Sequence, residues 1–157
     1  MKKIFIIILI ILQYGCWRLP SNHNLGKNYY YSMNHYTDRT IIKMRDKGEA
    51  YDVIIPTVIV NYVFDSSYVL IDQKPIDQIC ICNDSCRKKN INDWEKKFYK
   101  QCTDEFEKSN FHQYWIINKI NDSVLGPFSK ETFIRKRKEI GIPEKLVFGE
   151  PIKIISL

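Results

Sequence analysis

"VIIPTVIVNYVFDSSYVLIDQ", Val53 to Gln73, is the most apolar part of the chain beyond its first residues. From Val58, the residues Val58, Val60, Tyr62 and Phe64 fall on one side of an extended backbone, and Ile59, Asn61 and Val63 on the other. β-Branched and aromatic side chains suit a pleated, half-buried surface, so at least one face is committed to a core. Pro56 has no N–H for a ladder and marks a strand entry, an edge or a bulge. "DSS" (65–67) makes a turn and "YVLID" returns, which predicts a long hairpin at the centre of a sheet.

On the N-terminal side, "NYYYSM" (28–33) and "RTIIKM" (39–44) are short and rich in β-branched or aromatic residues, with a polar break between them. They read as a hairpin or as neighbouring strands. On the C-terminal side the period changes. In "NINDWEKKFYKQCTDEFEKSN" (90–110), Trp94, Phe98, Cys102 and Phe106 recur every fourth residue, which predicts an amphipathic helix from about Asp93 to Lys108. Asn92 with Glu95 forms a capping box at its start. "YWIINKINDSVLGPF" (114–128) follows as strand, turn and strand. Ser129 then caps a short helix from Lys130 to Ile140, ended by Gly141 and Pro143. "KLVF" and "IKIISL" can add a last strand or two. The expected fold is a single α+β domain: an antiparallel sheet of about five to seven strands with one long and one short helix.

The chain has 157 residues and begins "MKKIFIIILIILQYGC". Lys2 and Lys3 precede an apolar run, Ile4 to Leu12, that is too short for the ~30 Å hydrocarbon core, which needs about 20 residues. Residues 1–15 therefore read as a signal peptide. Gly15 directly before Cys16 is similar to a bacterial lipoprotein signal, which implies cleavage before Cys16 and lipid (palmitate among it) on its sulfur. Gln13 and Tyr14 depart from the usual Leu and small residue of such signals. Residues 16–28 then read as a lipid-anchored tether, with Pro20, Gly26 and several Ser and Asn, and 29–157 as the domain. The location implied is the bacterial cell envelope, as a membrane lipoprotein facing the periplasm or the exterior.

Removal of Lys2 and Lys3 leaves 22 basic against 18 acidic residues, taking the formal charge from +6 to +4. That is not the polybasic footprint of a nucleic-acid binder. Of the five cysteines, four remain besides Cys16. If "ICIC" is extended, Cys80 and Cys82 share a side and are poorly spaced for bonding each other. Cys80 with Cys86 and Cys82 with Cys102, or Cys80 with Cys102 and Cys82 with Cys86, are the two pairings expected. Either staples the long helix to the sheet. In an exported chain with an even count, disulfides lead over buried free thiols. A metal site comes last, because only Cys82 and Cys86 have the spacing of a zinc-binding turn.

Three blocks, "LGKNYYYS" (25–32), "VIIPTVIVNYVFDSSYVLIDQKP" (53–75) and "YWIINKINDSVLGPFSKETFIRKRKEIGIPEKL" (114–146), resemble an uncharacterised family of small exported bacterial proteins, often lipoproteins, classified as a domain of unknown function. The resemblance implies an envelope protein and carries no catalytic residues. The cysteine-bearing segment has no counterpart in that pattern. "GPFSKETF" alone is also similar to the strand-to-helix turn of GYF-like modules, a likeness that turn and capping chemistry explain.

His23, His35 and His112 are scattered and read as solvated loop residues. No G-x-S-x-G, phosphate-cradling glycine loop or paired-histidine motif is present. The run "RKRKE" (135–139) suits the negative end of a helix dipole, with anionic head groups as the rival reading. The aromatics Tyr29, Tyr31, Tyr114 and Trp115 are interaction candidates, since exposed rings anchor interfaces. The expected function is a non-catalytic, lipid-anchored envelope binding module without cofactor, touching the membrane through its anchor and an unknown envelope protein or ligand. The alternatives are an immunity or inhibitor protein against a toxin or enzyme reaching the envelope, and a small hydrolase, which a polar cleft holding a His with an acid would favour.

Overall fold

The computed structural model describes residues 21–33, 39–45, 50–79 and 104–150. Within them lie two four-stranded antiparallel sheets, each ordered as the strands follow in sequence. The first comprises β1 (Ser21–Gly26), β2 (Tyr29–Met33), β3 (Arg39–Met44) and β4 (Tyr51–Ile55). The second comprises β5 (Ile59–Phe64), β6 (Tyr68–Gln73), β7 (Gln113–Asn118) and β8 (Ser123–Phe128). A single turn of helix, α1 (Ile76–Ile79), follows β6, residues 104–108 are helical, and α2 (Lys130–Ile140) follows β8.

Alternation decides what meets what. Leu25, Tyr29, Tyr31, Ile41 and Ile55 of the first sheet pack against Ile59, Val69, Ile71 and Ile117 of the second. The opposite face of the second sheet gives Leu70 and Ile116 to a second core with Phe133 of α2, Ile142 and Leu146. The central strands β6 and β7 are therefore covered on both faces, which is why they read as nearly unbroken apolar runs, whereas β8 stays largely exposed.

The domain is α+β and antiparallel, as expected, and among the described residues its strands form two sheets of four, where one sheet of about five to seven was expected. Pro56 is the reason. It ends β4, whose Ile55 pairs with Ile41, and the chain re-enters as β5 in the other sheet, where the backbones of Val58 and Lys74 bond each other in both directions. The predicted hairpin is β5–β6. Its turn is closed by Asp65, whose side chain accepts from the N–H groups of Ser67 (2.7 Å) and Tyr68 (2.8 Å). A register shift between Ile59 and Asn61 inserts one residue, so Ile59 shares the inter-sheet face with Tyr62 and Phe64, opposite to the strict alternation predicted.

The second correction concerns residues 21–28. Expected in the tether, 21–26 form β1, an edge strand whose Leu25 is fully buried between the sheets. Lys27 and Asn28 make the two-residue connection to β2, both left-handed (φ 46° and 65°).

α2 behaves as its sequence dictates. Ser129 accepts from the Thr132 N–H at 3.3 Å, and Gly141 (φ 75°) and Ile142 return their N–H groups to Lys138 and Arg137. Arg137 then donates to the carbonyls of Pro143 (3.1 Å) and Leu146 (2.9 Å), holding the following loop against the sheet. Its neighbours in the basic run pair along the helix, Arg135 and Lys136 both reaching Glu139. The signal peptide, Cys16, the proposed capping box, Trp94, Phe98 and all four disulfide candidates, Cys80, Cys82, Cys86 and Cys102, lie outside the described residues, as do 151–157. Of the predicted long helix, only its end is described, and there Phe106 is buried.

Candidate functional site

Two turns from different sheets meet at one end of the domain. The β1–β2 turn presents Lys27 and Asn28, and the β7–β8 turn presents Lys119 and Asp122. The ends of β3 and β4 add Lys43, Arg45 and Asp52. Together they line an open cleft of about 810 Å³. Asp122 is left-handed as well (φ 62°), so three non-glycine residues in this uncommon conformation border one cleft.

Its charges are organised. Asp122 accepts from the Tyr29 hydroxyl through Oδ1 at 2.7 Å and from the Lys43 ammonium through Oδ2. Lys43, then Tyr29, hold its carboxyl below the usual carboxylate range. Burial, then the neighbouring Asp122, pushes the Tyr29 phenol far up, so it stays protonated and donates. Arg45 grips Asp52 with two parallel bonds, Nε to Oδ2 at 3.0 Å and a terminal nitrogen to Oδ1 at 2.5 Å. Asn28 is fixed through its carbonyl, which accepts from the Met44 N–H at 2.9 Å. Lys119 is buried at 3% exposure. Its ammonium donates to the carbonyls of Leu25 (2.5 Å) and Asp65 and stands 5.5 Å from the centre of the Phe64 ring.

This arrangement predicts the titration of Asp122. Observed by carboxyl-carbon NMR, its midpoint should lie below that of an ordinary aspartate and rise toward it in Lys43→Met. Tyr29→Phe should move it in the same direction by less. The depressed value means that any stability this contact gives is present above the ordinary aspartate range and fades as pH falls through the Asp122 pKa. An unshifted midpoint in wild type would contradict the geometry.

At the far end of β6 and β7 sits a second polar group. His112 Nδ1 lies 2.6 Å from Asp72 Oδ1, and the imidazole stacks on Tyr114. Burial pushes the Asp72 carboxyl up, and the bond to His112 opposes it. A His held through Nδ1 leaves Nε2 free as a base, but among the described residues no hydroxyl or thiol partners it. Hydrolysis would need such a nucleophile. His23 is tied too, its Nδ1 2.6 Å from the Tyr62 hydroxyl. Both described histidines are thus bonded; His23 is exposed, as expected, though on β1 and not in a loop, and His112 is partly buried. Among the described residues, no group of three or more His, Cys, Asp or Glu could hold a metal ion.

The four aromatic candidates are dispersed. Tyr29 and Tyr31 are buried in the inter-sheet core, Tyr31 with its ring centre 4.8 Å from that of Tyr62, and neither ring is open to a partner. Tyr114 lies half-buried against Phe133 and Phe148. Trp115, also half-buried, donates its indole N–H to Gln73 Oε1 at 2.7 Å. Of the four, Tyr29 alone bonds a residue that lines the cleft, its hydroxyl donating to Asp122. The cleft residues themselves went unread in the sequence because they lie up to 95 positions apart, from Lys27 to Asp122. The one local signal was turn chemistry, "GKN" and "NDS".

One protein-family model, described as Protein of unknown function (DUF3997), matches residues 27–152. No curated protein and no solved structure matches the chain.

Proposed function

The chain belongs to the DUF3997 family, whose function is unknown, and from that premise we propose that it is a non-catalytic binding module of the bacterial cell envelope. Lipid on Cys16 would hold it at the membrane, facing the periplasm or the exterior, and the cleft between the β1–β2 and β7–β8 turns would meet its partner. One observation carries this reading. Both carboxylates of the cleft are engaged in fixing cations in place, which prepares a charged surface for recognition and supplies neither a base nor a nucleophile. The His112–Asp72 pair is the best support for a hydrolase, and among the described residues no hydroxyl or thiol joins it as the third group that such chemistry requires.

Photo-cross-linking in cells tests the reading. A photoreactive phenylalanine replacing Asn28 should give a discrete adduct, and the same residue replacing Glu144, an exposed position outside the cleft, should not. Equal yields at both positions, or none at either, would defeat it. Anchoring is tested separately. Cys16→Ser should move the protein from the membrane pellet to the soluble fraction, because every acyl chain depends on that sulfur. A processed variant that stays in the pellet after a high-salt wash would refute lipidation at Cys16.

A further inference from the structure

Resting on the binding-module reading, we infer that the cleft receives a phosphate group carried by a larger molecule. The inventory of donors and acceptors leads there. An ammonium has three N–H donors and a guanidinium five. Lys43 spends one bond on Asp122, Arg45 two on Asp52, and Lys119 two on backbone carbonyls. Lys27 has no bonded partner among the described residues. The wall is therefore rich in unspent donors, while each oxygen of Asp52 and Asp122 already accepts one of the two hydrogen bonds it can take.

The lining carries four cations, Lys27, Lys43, Arg45 and Lys119, against two carboxylates, Asp52 and Asp122, so positive charge is in excess there even though Asp65, outside the lining, also acts on Lys119. A ligand that brings acceptors and negative charge satisfies this wall. An amine or a neutral sugar does not. A phosphoryl group offers several oxygens diverging from one centre, and the unspent donors come from separate strands and turns, so one group can be approached from several sides. A lone carboxylate offers two oxygens in a plane. The cleft volume of about 810 Å³ is that of a site for a larger ligand, so the phosphate should be an ester. Phospholipid head groups and soluble phosphate esters share this chemistry.

The test uses the full chain carrying Cys16→Ser, so that the lipid does not mask attachment. In ¹⁵N NMR, glycerol phosphate should move the amides of Lys27, Asn28, Met44 and Arg45 and leave those of α2 in place. Lys27→Ala, at an exposed position without a bonded partner among the described residues, should weaken the affinity roughly tenfold, the equivalent of one charge-assisted hydrogen bond. Glu131→Ala on α2 should not change it. Raising the salt should weaken binding, since the cleft is open and screened.

Cosedimentation with phosphatidylglycerol vesicles, abolished by Lys27→Glu with Arg45→Glu, would place the phosphate on a lipid. Binding of glycerol phosphate without vesicle attachment would place it on a soluble ester. Shifts absent from the cleft, or an affinity for succinate equal to that for glycerol phosphate, would overturn the assignment. If the adduct at position 28 persists in that event, the ligand chemistry is wrong and the binding module stands; if the adduct is absent too, both fall.

Discussion

Gly126→Ala is expected to destabilise the domain by about 4 kcal/mol, the sum of backbone strain and overpacking of roughly 1–3 kcal/mol each. Gly126 sits in β8 with φ 133°, a conformation L side chains rarely adopt. A Cβ built there would lie 2.8 Å from Trp115 Cε3 and 2.8 Å from the carbonyl oxygen of Tyr114. Neither neighbour can yield cheaply. The Trp115 indole is pinned through its N–H to Gln73, itself buried and bonded to the Pro56 carbonyl at 2.9 Å. The Tyr114 carbonyl belongs to β7, paired with β6 on one side and β8 on the other. Against a typical domain stability of ~5–15 kcal/mol, the loss is large. Urea denaturation should show a much lower midpoint for Gly126→Ala and almost none of that shift for Ile134→Ala, an exposed site on α2. A loss below about 1 kcal/mol would mean that β8 can retreat from β7 without penalty.

The contrast between Gly126 and Leu25 shows what the sequence could and could not disclose. The centre of the second sheet was legible because both faces of β6 and β7 are buried, so Val69 to Ile71 and Ile116 with Ile117 stand out by hydrophobicity alone. Its α2 neighbour was legible because Ser129 and Gly141 are local signals. β1 was not. Its described side chains from Asn22 to Asn24 are exposed, and the core takes only Leu25 from it. A strand committed to the core by one residue has no period to detect.

The division into two sheets escaped for a related reason, because Pro56 breaks a continuous apolar run without changing its composition. The phase of β5 escaped because a bulge is a geometric event that leaves alternation intact on either side. The cleft was least legible of all. Lys43 and Asp122 become partners only when the first sheet stacks on the second, and no spacing rule connects them. The aromatic candidates erred in the opposite direction, since Tyr29 and Tyr31 were prominent in the sequence because they build the core.

Lys119→Met should cost about 3 kcal/mol, because it removes two charge-assisted hydrogen bonds and strands two acceptors at roughly 1–3 kcal/mol each. Methionine preserves most of the apolar stem, so packing against Phe64 changes little and the loss reports the ammonium. That ammonium joins three elements at once. Lys119 leaves the end of β7, its own N–H donates to the Ser67 carbonyl at 2.7 Å, and its side chain crosses to Leu25 in β1 and Asp65 in the β5–β6 turn. The first sheet's edge strand is thereby tied to both hairpins of the second. Gly26, where a Cβ would come 3.1 Å from the Lys119 nitrogen, leaves room for this crossing.

Two further readouts separate this role from a loss of packing. Amide exchange in Lys119→Met should quicken more in β1, at Asn22 to Leu25, than in β6, since β1 has one strand neighbour among the described residues and loses its tie to the other sheet. The pH dependence has a definite sign as well. Burial lowers the Lys119 pKa below that of a free lysine, so the native state releases its proton before the unfolded chain does. Wild-type stability relative to Lys119→Met should therefore rise as pH climbs from the depressed native pKa toward about 10.4, where unfolded lysine titrates. It should fall back as pH descends through the same window. Identical pH profiles for the two proteins, with uniform exchange in β1 and β6, would reduce Lys119 to a filler of space.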